Sequence, residues 1–239
     1  MSKIIIYLLN IFDKIYQKKI IKELKNIFDS KINIIFDVGA HKGEFIELIS
    51  HNFDCKNIYS FEPSEKNFLL LSSNVKKMYL KNNKIHLYNF ALGTKKERKI
   101  FKQMNESSSS TFNHINMNSK YFKRKNLLLN LGLNSKIFDE VLVKIKDAYS
   151  FLEQEKIDFI DLLKIDTEGY ELYVIKGFGE KIKKIKVIFF EHHYDNMIVK
   201  NYLFSDINNY LLKNNFKKIL KFKMPFRKSF EYVYINKNV

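Results

Sequence analysis

Short apolar runs that stop at an acid or a glycine, and that alternate with helical patterns, constrain this chain more than any other feature. Asn33–Val38 ends at Gly39, Asn57–Phe61 at Glu62-Pro63, Asp161–Ile165 at Asp166, and Lys186–Phe190 at Glu191-His192-His193; Ile85–Ala91 is a further run of this kind. Between them the spacing predicts helices over Gly43–His51, over Ser64–Met78 with Ser64 as N-cap, from Asp166 through Ile175, and over Asp206–Asn214. Strands and helices in that order predict an α/β fold, with a largely parallel sheet covered on both faces. Lys217–Lys223 and Glu231–Asn236 read as two closing strands, antiparallel neighbours at the sheet edge. The polar stretch Thr94–Phe138 breaks the alternation and is expected to form a loop, a short helix and edge strands. Glu140–Ile145 reads as one such strand and Ala148–Gln154 as a helix.

The 239 residues are 46% hydrophobic and 15% aromatic, enough apolar material for a packed core, which excludes a disordered chain. With 7 Gly and 2 Pro there is no collagen-like or linker composition. The single cysteine, Cys55, excludes an internal disulfide and a multi-cysteine zinc site, and fits a reducing, cytoplasmic setting. Residues 1–30 read as an N-terminal helical appendage on a domain spanning 31–239. The apolar run Ile4–Leu9 is far shorter than the ~20 residues a spanning helix needs. No small-residue cleavage site follows it, so no signal peptide is expected. Ile4, Leu8, Ile11, Ile15, Ile20, Leu24 and Ile27 recur at helical spacing. The favoured reading is a helix packed on the domain; the other is a basic amphipathic helix making peripheral contact with a membrane.

The net charge of +16 first suggests nucleic acid as a partner. Only three of the 42 basic residues are arginine, at Arg98, Arg124 and Arg227, and the lysines are scattered along the chain. Arginine is the residue that reads bases and phosphates bidentately. The charge therefore fits compositional bias better than a nucleic-acid surface.

The first run closes in Asp37-Val-Gly39-Ala-His41-Lys-Gly43, and Glu62 stands at the end of the second, nineteen residues beyond Gly43. A glycine turn between strand and helix lets backbone amides approach a ligand, and an acid at the second strand end accepts hydrogen bonds from ribose hydroxyls. A pyrophosphate loop wants G-x-G-x-x-G, whereas this loop has His41 at its centre and opens on the anion Asp37. An anion suits the ammonium of a methionine moiety, which favours S-adenosylmethionine over NAD(P).

The blocks IIFDVGAHKGEF, FEPSEKNF, NFALG, LLKIDTEGYELYVIKG and VIFFEHH, together spanning roughly Ile34 to His193, resemble the FkbM family of S-adenosylmethionine-dependent methyltransferases. The most distinctive piece is Asp166-Thr-Glu168-Gly169-Tyr-Glu171; His41 stands where the family more often has Asn. The resemblance implies a class I methyltransferase (Rossmann-like) fold: a seven-stranded, mostly parallel sheet with the last strand reversed and helices on both faces. It also implies that Asp37 and Gly39 face the methionine end of the cofactor and Glu62 its ribose. His41 and Gly43 complete the cofactor loop, and Asn89 and Ala91 lie against the adenine. For Ser107–Thr111 two readings stay open, a solvated loop or a role near the site.

Methyl transfer to oxygen requires the acceptor to be aligned and its proton removed. The candidate catalytic residues are His192, Asp166 and Glu168. Either His192 or His193 acts as general base, since strand neighbours point to opposite faces and only one can serve. Alternatively Asp166, Glu191 and His192 hold Mg²⁺ or Mn²⁺, which lowers the acceptor's pKa. Glu171 is expected to face solvent or pair with a lysine. The expected activity is O-methylation of a sugar hydroxyl in surface polysaccharide or other glycoconjugate biosynthesis, with a small-molecule or nucleotide-linked sugar as acceptor. The alternatives are an RNA-binding or RNA-modifying methyltransferase and an NAD(P)-dependent oxidoreductase.

Overall fold

In the computed structural model of the chain, the residues described are 16–78, 83–105, 109–128, 137–224 and 227–239. A helix over 16–28 (α1) leads into β1 (Lys31–Val38), α2 (Glu44–Asn52), β2 (Asp54–Phe61), α3 (Glu65–Lys77) and β3 (Lys84–Tyr88). An inserted region follows, with β4 (Ala91–Gly93), β5 (Glu97–Met104), β6 (His114–Ile115), α4 (Lys120–Leu128) and β7 (Phe138–Asp147). The main layer resumes with α5 (Ala148–Glu155), β8 (Ile160–Ile165), α6 (Glu171–Gly177), a 3₁₀ turn (Gly179–Lys184) and β9 (Ile185–His193). Then come β10 (Ile198–Val199), α7 (Phe204–Lys213), β11 (Phe216–Lys223) and β12 (Ser229–Asn236).

The main sheet has seven strands in the order β11-β12-β9-β8-β1-β2-β3. β9, β8, β1, β2 and β3 pair in parallel, and β12 runs antiparallel to both of its neighbours. This is the seven-stranded class I arrangement with one reversed strand. The central strands β8 and β9 are buried along almost their whole length, because helices cover both faces. One face carries α5, α6 and α7 over Phe36, Leu163, Ile165 and Phe190. The other carries α1, α2 and Leu71 of α3 over Ile35, Ile58, Leu162 and Phe189.

α1 is part of that second core: Ile20, Ile21, Leu24 and Phe28 are all buried. The apolar face of 16–28 is thus covered by the domain; Ile4, Leu8, Ile11 and Ile15 lie outside the described residues. Among the described residues no helix is long and apolar enough to cross a membrane.

Two expected elements come out differently. The run Ile85–Ala91 is not one strand. Asn89 Nδ2 donates to the carbonyls of Glu62 (2.9 Å) and Pro63 (3.3 Å), the chain leaves the main sheet there, and β4 pairs instead with β7. Glu191-His192-His193 do not follow the strand end but belong to β9, held in register with Glu231, Phe230 and Ser229 of β12. The inserted region builds a three-stranded sheet, β4-β7-β5. Its Met104, Ile115 and Phe122 pack on Met197 and Ile198 just beyond β9, so the insertion lies over the ends of β8 and β9.

Candidate active site

A cleft of about 300 Å³ opens at the carboxyl ends of β1, β2, β8 and β9, the place where open α/β sheets bind ligands. Its floor is the turn after β1. Gly39 has φ +84°, and a Cβ there would lie 1.9 Å from the carbonyl oxygen of Asp166. The Gly39 and Ala40 amides donate to the Phe61 carbonyl at 2.9 and 3.0 Å, and the Asp166 amide donates to the Val38 carbonyl at 2.9 Å. Three strand ends are stitched together through a backbone approach that only glycine permits.

Glu62 lines this floor and is 4% exposed. Its two oxygens accept from the His41 and Ser64 amides, each at 2.9 Å. Burial still pushes its carboxyl up to about 7, against the pull of those amides. His41, at φ +50°, also lines the cleft, and its Nδ1 lies 3.0 Å from Glu44 Oε1. Burial opposes ionisation of Glu44, but His41 outweighs it and holds that carboxyl down at about 2. Beyond Glu62 the cleft turns apolar, with Ala91, Leu92, Phe101, Phe112 and Tyr170 on its walls. Lys99 Nζ sits over the Phe112 and Tyr170 rings.

Three residues expected to touch the cofactor do not line the cleft. Asp37 is fully buried, 3.4 Å from Lys164 Nζ, which also lies 3.6 Å from Asp166. Burial resists the Lys164 ammonium, but Asp37 and Asp166 outweigh it and hold the lysine charged. That pairing consumes the anion read as a partner for the cofactor's ammonium; Asp166, on the cleft wall, is the carboxylate left exposed there. Gly43 serves the fold: it caps α2 at φ +95°, and a Cβ would press on Leu71 at 3.0 Å. Asn89 is engaged by the Glu62 and Pro63 carbonyls.

The opposite end of the cleft is acidic. Glu168 follows β8 in a left-handed conformation, φ +50°. Its loop is held from beneath: Thr111 Oγ1 donates to the Glu168 carbonyl (2.6 Å) and Asn113 Nδ2 to the Gly169 carbonyl (2.7 Å). Glu171, expected at the surface, is instead fully buried. It accepts from the Gly169 amide (2.7 Å), the Thr167 hydroxyl (3.2 Å) and the Tyr202 hydroxyl (2.5 Å). Of Ser107–Thr111, residues 107 and 108 lie outside the described residues, while Ser110 lines the cleft.

β9 decides between the two histidines. Phe189, Glu191 and His193 alternate onto one face, His192 onto the other. Glu191 lines the cleft, and His193 stands behind it. His193 Nε2 lies 3.1 Å from Glu168 Oε2 and 3.4 Å from Glu191 Oε1, and its Nδ1 lies 3.5 Å from Asp195 Oδ2. Burial disfavours the imidazolium, but Glu168 and then Glu191 outweigh it, raising His193 to about 10. Burial raises the Glu168 carboxyl to about 8, with His193 pulling it back. His192 is turned away among Tyr194, Tyr202 and Phe204, with Lys200 Nζ 3.3 Å from its Nε2. Burial, then Lys200, pushes its pKa down to about 3. His192 is therefore a packing residue and not the base. The expected metal set fails on the same ground: Glu191 and His192 point to opposite sides of the sheet, so Asp166, Glu191 and His192 cannot converge. Among the described residues no group of three His, Cys, Asp or Glu side chains is arranged to hold a metal ion.

The rim of the acidic end comes from the two ends of the chain. Tyr16 of α1 donates from its hydroxyl to Glu231 Oε2 at 2.7 Å, and Gln17, Met224 and Arg227 stand beside them. Burial, with Glu191 opposite, raises Glu231 to about 8.

This geometry joins a sheet of class I methyltransferase topology to a buried acid, Glu62, at the end of β2 and a carboxylate–histidine pair across the cleft. The profile of the "Methyltransferase FkbM domain" matches residues 37–218. The chain belongs to the FkbM methyltransferase family. Solved structures with the same fold include the FkbM methyltransferase of Methylobacillus flagellatus KT (TM-score 0.53, 14% identity), where the match covers 85% of this chain and 44% of that one. The magnesium protoporphyrin IX methyltransferase of Synechocystis PCC 6803 with bound SAM gives a TM-score of 0.52 at 7% identity, over 95% of this chain and 81% of that one. M. capricolum TrmK bound to S-adenosylhomocysteine gives 0.51 at 14%, over 91% and 67%. No curated protein matches the chain. The chain spans less than half the length of the Methylobacillus protein.

Within this FkbM chain, Lys164, Asp195, Tyr16 and Glu231 escaped the reading of motifs, and His193 was read only as the alternative to His192. One signal was available for His193: it lies two residues from Glu191 and so shares its face of the strand. Tyr16 and Glu231 carry no local signal, since 215 positions separate them.

Proposed function

We propose that this FkbM methyltransferase transfers the methyl group of S-adenosylmethionine to a hydroxyl of a sugar, free or carried on a nucleotide, destined for surface polysaccharide or another glycoconjugate. The cleft fits the cofactor. Glu62 offers a buried carboxylate to ribose hydroxyls, Ala91, Leu92, Phe101 and Phe112 offer an apolar slot to adenine, and the Gly39–Ala40 turn with Asp166 offers backbone and an acid to the methionine end. When bound, the cofactor supplies an electrophilic methyl group on sulfur.

The observation that carries the reading is the Glu168–His193 pair at the far end of the same cleft. A sugar hydroxyl is a weak acid, and its proton must leave as the new bond forms. Glu168 lines the cleft and takes that proton. His193, behind it, favours the ionised, proton-accepting form of that buried carboxyl against the cost of burial, by supplying a positive charge at 3.1 Å. Asp195, whose own pKa is held down by His193, fixes the ring from the other side. The cytoplasm, where the buried and unpaired Cys55 stays reduced, is the proposed compartment.

Calorimetry with S-adenosylhomocysteine and NAD in parallel, followed by a mass-based screen of free and nucleotide-activated sugars for gain of one methyl group, tests the proposal. Binding of the homocysteine product without NAD, and methylation of a sugar, is the expected result; NAD binding alone would sink it. An RNA substrate, as for tRNA methyltransferases of this fold, is disfavoured because the acceptor end of the cleft is walled by carboxylates that repel a phosphodiester backbone.

A further inference from the structure

The family match begins at residue 37 and ends at 218, yet six residues lining the cleft lie outside it: Tyr16, Gln17, Ile20, Met224, Arg227 and Glu231. They gather at the acceptor end. There the two ends of the chain meet through the Tyr16 hydroxyl on Glu231, and Glu231 stands opposite Glu191 in the β9–β12 register. We propose that Tyr16, Glu191 and Glu231 form the subsite that recognises the acceptor, and that it takes a sugar ring bearing a hydrogen-bond donor, a hydroxyl or an ammonium, while refusing a ring with an anion there. The proposal rests on the methyltransferase reading and names its substrate class.

Three observations converge on it. Glu191 is 5% exposed and lines the cleft, and its Oε1 has the His193 ring 3.4 Å away but no hydrogen bond from the chain. A buried carboxylate oxygen in that state is an acceptor in want of a donor. Glu231 and Glu191 share one face of adjacent strands in a setting shielded from water, so ionising both is costly, and a ligand that brings donors or a positive charge lowers that cost. The cations of the cleft do not reverse its sign. Among the described lining residues they are Lys164, which is engaged by Asp37 and Asp166, and Arg227, with His41 lying against Glu44. Against them stand Glu168, Glu191 and Glu231 at this end, with the one imidazole of His193 behind the first two. A carboxylate or phosphate next to the reacting hydroxyl would meet this wall directly. Any phosphate of a carrier must therefore lead outward, toward the lysine-rich surface.

The test uses the full chain saturated with S-adenosylhomocysteine and titrated calorimetrically with methyl pyranosides of the gluco, galacto and manno series, each in three forms: neutral, 2-amino-2-deoxy, and uronate. Tyr16→Phe and Glu231→Gln are measured alongside, with their affinity for S-adenosylhomocysteine as the control for folding. The neutral or amino form of at least one series is expected to bind, its uronate about tenfold or more weaker, and each variant about three- to tenfold weaker with homocysteine affinity unchanged. A uronate that binds as well as its neutral counterpart overturns the proposal. So does wild-type affinity in both variants, or a complex that binds none of the glycosides. If the wild-type chain fails to bind S-adenosylhomocysteine at all, the methyltransferase reading fails first and takes this inference with it.

Discussion

Glu168 Oε2 and His193 Nε2 lie 3.1 Å apart, one on the loop after β8 and the other on β9, and both are nearly buried. Neither group titrates alone. Each raises the other's preference for its charged form against the cost of burial, so the pair exchanges protons as a unit. Asp195, 3.5 Å from the other ring nitrogen, keeps the imidazole turned toward Glu168.

If that pair removes the acceptor proton, Glu168→Gln lowers kcat by about 10²–10⁴-fold, the range for loss of a general base, with affinity for S-adenosylhomocysteine unchanged. His193→Gln falls in the same direction, because the Glu168 carboxyl loses the charge that favours its ionised form. His192→Gln is expected to leave kcat within about tenfold of wild type, since its ring packs among Tyr194, Tyr202 and Phe204 on the other side of the sheet. Steady-state kinetics on the three variants decide; a His192 variant as impaired as the His193 variant would reverse the assignment.

Gly39→Ala is expected to abolish cofactor binding and to lower the melting temperature sharply. The added Cβ would lie 1.9 Å from the Asp166 carbonyl oxygen, and φ +84° is strained for any side chain. Since β1, β2 and β8 meet at that turn, the strain cannot be relieved by one side chain moving. Thermal melts with and without S-adenosylhomocysteine check this: a variant still stabilised by the ligand as wild type is would contradict it.

The main sheet was legible because its strands announce themselves as apolar runs ending in acids and glycines, and because Glu62 and Asp166 sit at those ends. The faces of β9 were harder. A strand buried on both sides shows no polar alternation, so nothing local says whether Glu191 and His193 or His192 face the ligand. Asp37 misled for a different reason: its partner Lys164 lies 127 positions away on the neighbouring strand β8, and only the register of β1 with β8 brings the two together. The Tyr16–Glu231 contact was beyond reach for the same cause, being made by the packing of α1 and β12 alone.

Removal of divalent cations is expected to leave methyl transfer unchanged. The side chains suited to a metal on β8 and β9 do not converge: His192 faces the opposite core from Glu191, and the histidine that does face the cleft side, His193, is occupied by Glu168, Glu191 and Asp195. Activity assayed after exhaustive dialysis against a chelator checks this. Loss of activity restored by Mg²⁺ or Mn²⁺ would require the acceptor end to rearrange on binding.

Stability of the cofactor-free protein is expected to fall as pH rises from about 6.5 to 8, because several buried groups hold protons in the folded chain that the unfolded chain releases. Glu62 ionises near 7, and Glu168 and Glu231 near 8, against an ordinary 4.5. Each carboxyl's protonated form favours folding, and that contribution is lost progressively up to its folded pKa. His193 acts in the same sense: raised from 6.5 to about 10, it contributes fully below 6.5 and fades as pH climbs toward 10. His192 has the opposite sign, since its folded pKa of about 3 makes stability rise with pH, but only up to its ordinary 6.5. Above that value the four raised groups act unopposed by it. Melting temperatures measured at constant ionic strength across pH 5 to 9 should therefore decline above 6.5, and Glu231→Gln, which removes one of the four, should flatten the slope between 5 and 8. A melting temperature that rises steadily through that window would show that Glu62, Glu168 and Glu231 are already ionised in the folded chain at acid pH, and that the acidic wall of the cleft is better solvated than its burial implies.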